Sequence, residues 1–279
     1  MLTVLRIELY KIFMRPRTYI SFGAIAAIVM LIQLALYVDG ETYVSFMLQS
    51  IKNTFNVEGK VMNGYLICYI VLQTLLIHVP LLIAMVGGDM FAGEAAMGTL
   101  RLIATKPISR TSLLLGKYLA TVTYTIALLL WMAFLALLLS LVFFGKGDML
   151  IFQSEQIVQI KSNDILWRYF LSFGFASLAM ITVATISFFL SLFAENSLGP
   201  IATTMSVVIV ATILSTMDIP LFNLMKPYLF TSQMLGWKGY FDNPIDYATI
   251  GYSAKVLVVY ILVLLGASWW VFKKKDILS

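Results

Sequence analysis

Cysteine, histidine and charged residues are all scarce in this 279-residue chain. The single cysteine, Cys68, excludes a disulfide within the chain, and with one histidine there is no set of Cys and His metal ligands. Charged residues make up 12% of the sequence, whereas a soluble domain carries about 25%. Hydrophobic residues make up 61%, and the mean hydropathy is +0.92. These values are typical of an integral membrane protein.

Sequence signatures of enzymes are also missing. The chain contains neither a His-Glu-x-x-His zinc motif nor a Gly-x-Ser-x-Gly nucleophile motif. Gly116-Lys117 is followed by Tyr118 rather than Ser or Thr, and it lacks the upstream glycine of a phosphate-binding loop. We therefore expect a protein that is not an enzyme, with no catalytic, cofactor-binding or metal-binding residues of its own.

Six apolar runs are each long enough to cross the roughly 30 Å hydrocarbon core of a bilayer. Their length favours helices over the short alternating strands of a membrane barrel. We predict an all-α integral membrane protein, built as a single transmembrane domain over residues 1–279. The predicted spans cover residues 18–38, 64–86, 112–144, 167–193, 198–217 and 251–272.

Charge is distributed unevenly between the two sides of these runs. With the N-terminus inside, the inner segments carry a net charge of +6 and the outer segments −1, which together give the chain's +5. Because Lys and Arg accumulate on the cytoplasmic side of membrane proteins, we predict that both termini are cytoplasmic. An even number of spans agrees with this. The expected location is the bacterial inner membrane, with which the absence of disulfides is compatible.

The middle of the six runs contains no Asp, Glu, Lys or Arg. Ion-coupled carriers usually keep ionisable groups at membrane depth, so the sequence argues against a secondary carrier. A chain of this kind takes its energy from outside the membrane, or it acts as a scaffold or channel.

Residues 1–17 have the pattern of an amphipathic helix. Apolar residues recur at three- and four-residue spacing, and Pro16 is expected to end the helix just before the first span. Such a helix lies at the inner interface of the membrane. It is either a simple topological anchor or an entry helix that also packs against a cytoplasmic partner. Its candidate contact residues are Arg6, Lys11 and Arg15.

The connection between the second and third runs, residues 88–110, is longer than the 2–8 residues or so that a simple helix–helix turn needs. The spacing predicts a short helix that Pro107 ends, after which Ser109 caps the third span. An ordinary solvated loop helix is the alternative. The candidate partner-binding residues of this segment are Asp89, Glu94, Met97, Gly98, Thr99, Leu100 and Arg101.

The connection between the fifth and sixth runs, residues 218–250, is too rich in aromatic and apolar residues for a free loop. We interpret it as one or two short helices at the outer leaflet. The alternative is an aromatic belt at the membrane interface with no further role.

Residues 88–117 resemble the signature of ABC-2 type transporter permeases, and residues 9–17 are similar to the entry helix of that family. The resemblance is to the six-span subfamily that includes nitrous-oxide-reductase-maturation, bacitracin-resistance and gliding-associated permeases. In motif it covers the N-terminal helix and this connection, and in topology the whole chain. The matching stretches are Gly93-Glu94, Gly98-Thr99-Leu100-Arg101, Pro107-Ile108-Ser109-Arg110 and Leu114-Leu115-Gly116-Lys117.

The resemblance implies a transporter made of two permease subunits, identical or homologous, and two ABC ATPase subunits, which hold ATP and magnesium. It implies that residues 91–105 form a coupling helix seated on the ATPase. Glu94 would fix this helix by pairing with Arg6 or Lys11, and Arg101 would face the ATPase or the lipid headgroups. Substrate would pass along the second and fifth spans.

Two functions stay open on the sequence. The first is the permease of an ATP-driven exporter, whose cargo would be amphiphilic, lipid-like, peptide or drug-like. The second is a membrane anchor for a cytosolic partner without transport. Both involve the lipid membrane and neither involves nucleic acid. A homodimer and a heterodimer fit the sequence equally.

Overall fold

The computed structural model describes residues 1–48, 62–99, 108–152 and 157–275. Helices account for most of this part of the chain. In chain order the elements are α1 (Leu2–Met14), α2 (Pro16–Leu48), α3 (Gly64–Gly87), α4 (Asp89–Ala96), α5 (Arg110–Phe144), β1 (Met149–Phe152), β2 (Ile157–Ile160), α6 (Ser162–Ser191), α7 (Leu198–Thr216), α8 (Pro220–Asn223), a 3-10 helix (Lys226–Tyr228), α9 (Phe230–Met234), a second 3-10 helix (Leu235–Phe241) and α10 (Tyr247–Lys274).

Six helices in the described residues are long and apolar enough to cross a membrane, which confirms the prediction of a multi-pass helical membrane protein. Their ends differ from the predicted ones by a few residues. We call them spans 1 to 6, and they cover Pro16–Gly40, Gly64–Gly87, Arg110–Phe144, Ser162–Ser191, Leu198–Thr216 and Tyr247–Lys274.

Spans 2 and 4 form the centre of the bundle. Over their most apolar stretches, 56% of span 2 and 61% of span 4 is buried, against 22% of span 5 and 17% of span 6. Spans 5 and 6 therefore present most of their apolar surface to lipid or to another protein.

Proline separates the N-terminal helix from span 1. Arg15 has the extended backbone (φ −88°, ψ 132°) that a following proline imposes, and Pro16 then begins α2. Proline suits the first position of a helix because it has no N–H to leave unpaired there. The predicted end of the amphipathic helix is confirmed, and one extended residue lets α1 and span 1 point in different directions.

A small β-hairpin connects spans 3 and 4, on the face away from the chain ends, and the sequence pattern did not predict it. Strands β1 and β2 pair antiparallel, with Met149 opposite Ile160. Met149, Ile151, Val158 and Ile160 are buried, so alternate residues of each strand face the bundle. Strands of four residues are too short for this period of two to stand out from a generally apolar sequence.

Short helices fill the connection between spans 5 and 6, as predicted, but there are four of them, two α-helices and two 3-10 helices, rather than one or two. They pack on the far ends of spans 2 and 4, where Trp237 and Phe241 are buried against Tyr69. Arg168 of span 4 fastens this cap, because its guanidinium donates to the carbonyls of Tyr240 (3.0 Å) and Asp242 (2.9 Å). We call the residues from Phe230 to Asp242 the far-face cap.

Candidate functional site

Helix α1 packs against the first turns of α5, at the membrane face where both described chain ends lie, which we call the terminal face. Val4, Glu8 and Ile12 form its buried stripe, at the four-residue spacing of one helix face. Gly116 of α5 permits the close approach, since a Cβ at this position would lie 2.6 Å from Val4 Cγ1. The close packing of the two helices therefore fixes the position of the charged side chains of α1.

Four charged side chains form a closed ring of ion pairs where α1, α4 and α5 meet. Lys117 Nζ lies 3.0 Å from Glu8 Oε2 and 2.7 Å from Glu94 Oε1. Lys11 Nζ lies 2.9 Å from Glu8 Oε1 and 2.8 Å from Glu94 Oε1. Two cations thus face two anions, and the ring carries no net charge. We call Glu8, Lys11, Glu94 and Lys117 the charge ring.

The charge ring is deeply buried. The Lys117 side chain is fully buried and those of Glu8 and Glu94 are 5% exposed, while Lys11 is 35% exposed. The Lys117 ammonium also lies 5.5 Å from the centre of the Phe91 ring, within range of a cation–π contact. Buried charges are stable only with their partners in place, because each unpaired charge bears the full cost of leaving water. The ring therefore favours one relative position of α1, α4 and α5.

A second group of charges surrounds Asp89, the first residue of α4. Arg15, at the α1–α2 junction, and Arg17, in the first turn of α2, both pair with its carboxylate, Arg17 at 2.9 Å. The hydroxyl of Ser197, in the turn between spans 4 and 5, donates to the same carboxylate. A carboxylate at the N-terminus of a helix is also favoured by the helix dipole. Asp89 thus ties α4 to both neighbouring segments of the terminal face.

Aromatic contacts connect α4 to spans 4 and 6. The ring of Phe91 lies 5.3 Å from that of Phe188 in span 4 and 4.9 Å from that of Phe272 in span 6, between ring centres. The end of span 6 is held in turn by Arg110, whose guanidinium donates to the carbonyls of Phe272, Lys273 and Lys275. A displacement of α4 would therefore disturb its packing against spans 4 and 6 at the same time.

The charge ring shifts the pKa values of two of its members. Burial raises the pKa of Glu94, but the charge of Lys117 and the hydrogen bonds from Lys11 and Lys117 outweigh it, and the net pKa is lowered. Burial lowers the pKa of Lys11, but hydrogen bonds to Glu8 and Glu94 outweigh it, and the net pKa is raised. Both shifts favour the charged forms, in which the ring is complete.

These shifts predict how stability depends on pH. A carboxyl with a lowered pKa in the folded state stabilises the fold above its ordinary pKa of about 4.3, and this contribution is lost as the pH falls through the folded value. For Lys11 the contribution is present below about pH 10.4 and is lost as the pH rises through its raised pKa. Unfolding of the purified protein, followed by circular dichroism from pH 3 to pH 8, should show a loss of stability in acid. Glu94→Gln should flatten this acid limb, and an unchanged limb would contradict the assignment.

The sequence of this chain matches a known protein family. A family model described as a protein of unknown function, DUF2705, matches residues 26–278. The chain belongs to the DUF2705 family. It is also similar to a curated protein of Bacillus subtilis (strain 168) described as the uncharacterized protein YhcI, with 26% identity over 200 residues. That match covers 69% of this chain and 62% of the relative, so the chain spans less than two thirds of the relative's length.

In this DUF2705 chain the predicted partner-binding residues in and after α4 lie in different environments. Asp89 and Glu94 are buried in the ion pairs described above, whereas Met97 is 58% exposed at the end of the helix. Gly98 has a φ of +68° in the turn that follows, and the Thr99 hydroxyl donates to the Glu94 carbonyl at 3.3 Å. The remaining two candidates, Leu100 and Arg101, lie outside the described residues.

The predicted helix over residues 91–105 is not continuous. Helix α4 ends at Ala96, and the positive φ of Gly98 gives the left-handed turn with which helices commonly end. Residues 100–107 lie outside the described part, and with them the predicted end at Pro107. Ser109 does cap span 3, accepting from the Ser112 N–H at 3.2 Å.

Two of the three candidate residues of the entry helix form ion pairs, and the third does not pair with Glu94. Lys11 pairs with Glu94, and Arg15 with Asp89, but Arg6 is exposed and is not the partner of Glu94. Sequence reasoning missed the roles of Glu8, Lys117 and Ser197 in these clusters. The position of Lys117 was a usable signal, because a lysine in the second turn of an otherwise apolar span requires a buried partner or a route to water.

Proposed function

We propose that this protein is the membrane-spanning permease subunit of an ATP-driven transporter of the ABC-2 type, working with a separate ATPase. The observation that carries the proposal is the charge ring, in which Glu94 of α4 is held by Lys11 of α1 and Lys117 of span 3. Glu94 lies in the stretch whose sequence resembles the coupling segment of that family, and Lys11 lies in the stretch that resembles its entry helix. The basic excess of the terminal face supports placing it on the cytoplasmic side.

A buried ring of this kind suits an element that transmits force. Removing one partner from a buried ion pair typically costs about 3–5 kcal/mol, so α4 cannot slide away from α1 and α5 without a large penalty. A push on α4 is therefore passed on as a movement of the helices rather than absorbed locally. An ordinary solvated loop helix would have no need of charges buried to this degree.

The terminal face also offers a surface that a soluble subunit can contact. Met97 protrudes from the end of α4, and Leu2, Tyr10 and Met14 are exposed along α1 at 76%, 64% and 63%. Exposed apolar side chains next to basic ones are typical of docking sites. We propose that two ATPase subunits bind here, one for each permease copy.

The experiment is to isolate the tagged chain from membranes of its native host and identify the proteins that copurify. An ATPase with a phosphate-binding loop, recovered with the wild type, supports the proposal. Met97→Glu should reduce that recovery by about tenfold, because it places a charge in an apolar contact. Met225→Glu is the matched control on the opposite face, where Met225 is 46% exposed, and it should leave recovery unchanged.

A partner that lacks ATP-binding motifs would contradict the permease and favour the membrane anchor. Equal recovery of the ATPase with both methionine variants would instead contradict the contact between the ATPase and the end of α4. If the ATPase is recovered, its hydrolysis in reconstituted vesicles should respond to amphiphilic compounds, the class of cargo that we propose for export.

A further inference from the structure

A cleft opens on the bundle between spans 2 and 5, on the side of the far-face cap. Its volume of about 330 Å³ falls at the low end of the range of ligand pockets, roughly 300–1,000 Å³. Its walls are mostly apolar and include Leu76, Ile77, Val208 and Ile209. Ile77 and Ile209 are 69% and 52% exposed. Because both belong to membrane spans, the cleft is accessible from the lipid.

Three polar groups in the wall of the cleft have no partner in the described part of the chain. The Thr231 hydroxyl is buried and makes no hydrogen bond, and Thr231 as a whole is 7% exposed. The Gln73 amide and the Lys238 ammonium likewise make no hydrogen bond to described residues. All three groups can donate hydrogen bonds. A buried or membrane-embedded donor without an acceptor is costly, and a ligand rich in acceptors would remove that cost.

Lys238 gives the cleft a preference for negative charge. It is half-buried, and its nearest described interaction partner is the Trp237 ring, whose centre lies 5.9 Å from Nζ. Burial lowers the pKa of the Lys238 ammonium. An anion beside it would favour the charged form. Within the described residues, the Lys238 ammonium thus has no ion-pair partner, and it lies in a cleft whose walls are mostly apolar.

We infer that this cleft binds an anionic phospholipid of the leaflet on the far-face side, with an acyl chain between spans 2 and 5 and the phosphate at Lys238. The phosphate and ester oxygens accept from Lys238, Thr231 and Gln73, and the chain covers the apolar walls. The surrounding bilayer supplies this ligand at high local concentration. The inference does not rest on the proposed transport, because lipid binding requires no ATPase, but the cleft lies between the two spans along which the family resemblance routes substrate.

The test is a lipid titration of the purified full-length chain in detergent, followed by native mass spectrometry. Phosphatidylglycerol and phosphatidylcholine with identical acyl chains are the probes. We expect the wild type to bind phosphatidylglycerol about five- to tenfold more tightly, because both lipids carry a phosphate but only phosphatidylglycerol has a net negative charge for Lys238 to attract. Lys238→Gln should remove most of this preference and leave phosphatidylcholine binding unchanged. Lys255→Gln, at an exposed lysine that is not part of the cleft, should behave like the wild type.

A third variant tests the acyl chain separately. Ile209→Trp fills the cleft and should weaken the binding of both lipids, while circular dichroism shows the helical content unchanged. Equal binding of the two lipids by the wild type would overturn the inference, as would full phosphatidylglycerol preference in Lys238→Gln. If Ile209→Cys forms disulfides between two chains and no lipid is bound, a second copy covers the cleft, and the inference is likewise wrong.

Discussion

Replacing Lys117 by methionine is expected to lower the free energy of unfolding by about 3–5 kcal/mol. The change keeps the length of the side chain but leaves the two carboxylates of the charge ring with one cation, so a net negative charge is buried. Chemical unfolding in detergent, followed by circular dichroism, measures the loss. Lys255→Met removes an exposed lysine of span 6 and should change the stability by less than about 0.5 kcal/mol.

A double variant separates the charge imbalance from the loss of packing. Glu8→Leu together with Lys117→Met removes one anion and one cation and leaves the 2.8 Å pair of Lys11 and Glu94 intact. Because well-packed apolar residues often replace a buried ion pair without loss, the double variant should be clearly more stable than Lys117→Met alone. Destabilisation that simply adds up from the two single variants would show that the ring does not act as a unit.

Replacing Arg168 by methionine is expected to detach the far-face cap and to cost about 3 kcal/mol. The guanidinium is 8% exposed and donates to two carbonyls of the cap as well as to Asp164, so its loss leaves these acceptors without a donor. Besides a lower unfolding free energy, we expect faster proteolysis between spans 5 and 6. Trypsin digestion and peptide mapping measure that change.

The control for Arg168 is a second basic residue on the same face. Lys226 pairs with Asp218 at 3.7 Å, and the Asp218 side chain is 90% exposed. Exposed ion pairs contribute about 0–1 kcal/mol, so Lys226→Met should have little effect on stability or proteolysis. If both variants lose stability equally, the cap is not held by Arg168.

Much of the fold follows from local sequence. The apolar runs predict six spans because a helix that crosses lipid must satisfy its own backbone hydrogen bonds and present an apolar surface, and both properties are visible in about 20 consecutive residues. The break at Pro16 and the cap at Ser109 were predicted for the same reason, since proline and a capping hydroxyl act on their immediate neighbours.

The same local reasoning gave an incomplete picture of the segment after span 2. Spacing predicted a short helix that Pro107 ends, and the family resemblance implied a helix over residues 91–105, but Gly98 adopts a positive φ and α4 ends at Ala96. A glycine two residues beyond a helix end is a common stop signal, and its weight depends on the packing of the turn that precedes it. Here α4 is also held by tertiary contacts, since the Phe91 ring packs against Phe188 of span 4 and Phe272 of span 6.

The sequence by itself determined that the chain is a helical membrane protein and that basic residues are in excess on the side of its N-terminus. Only the tertiary structure decided which charges pair. Glu8 and Lys117 are 109 positions apart, and Lys11 and Glu94 are 83 apart, so no local pattern joins them. They meet because Gly116 lets α1 approach α5, and they stay together because separating charges in a buried site is far more costly than in water.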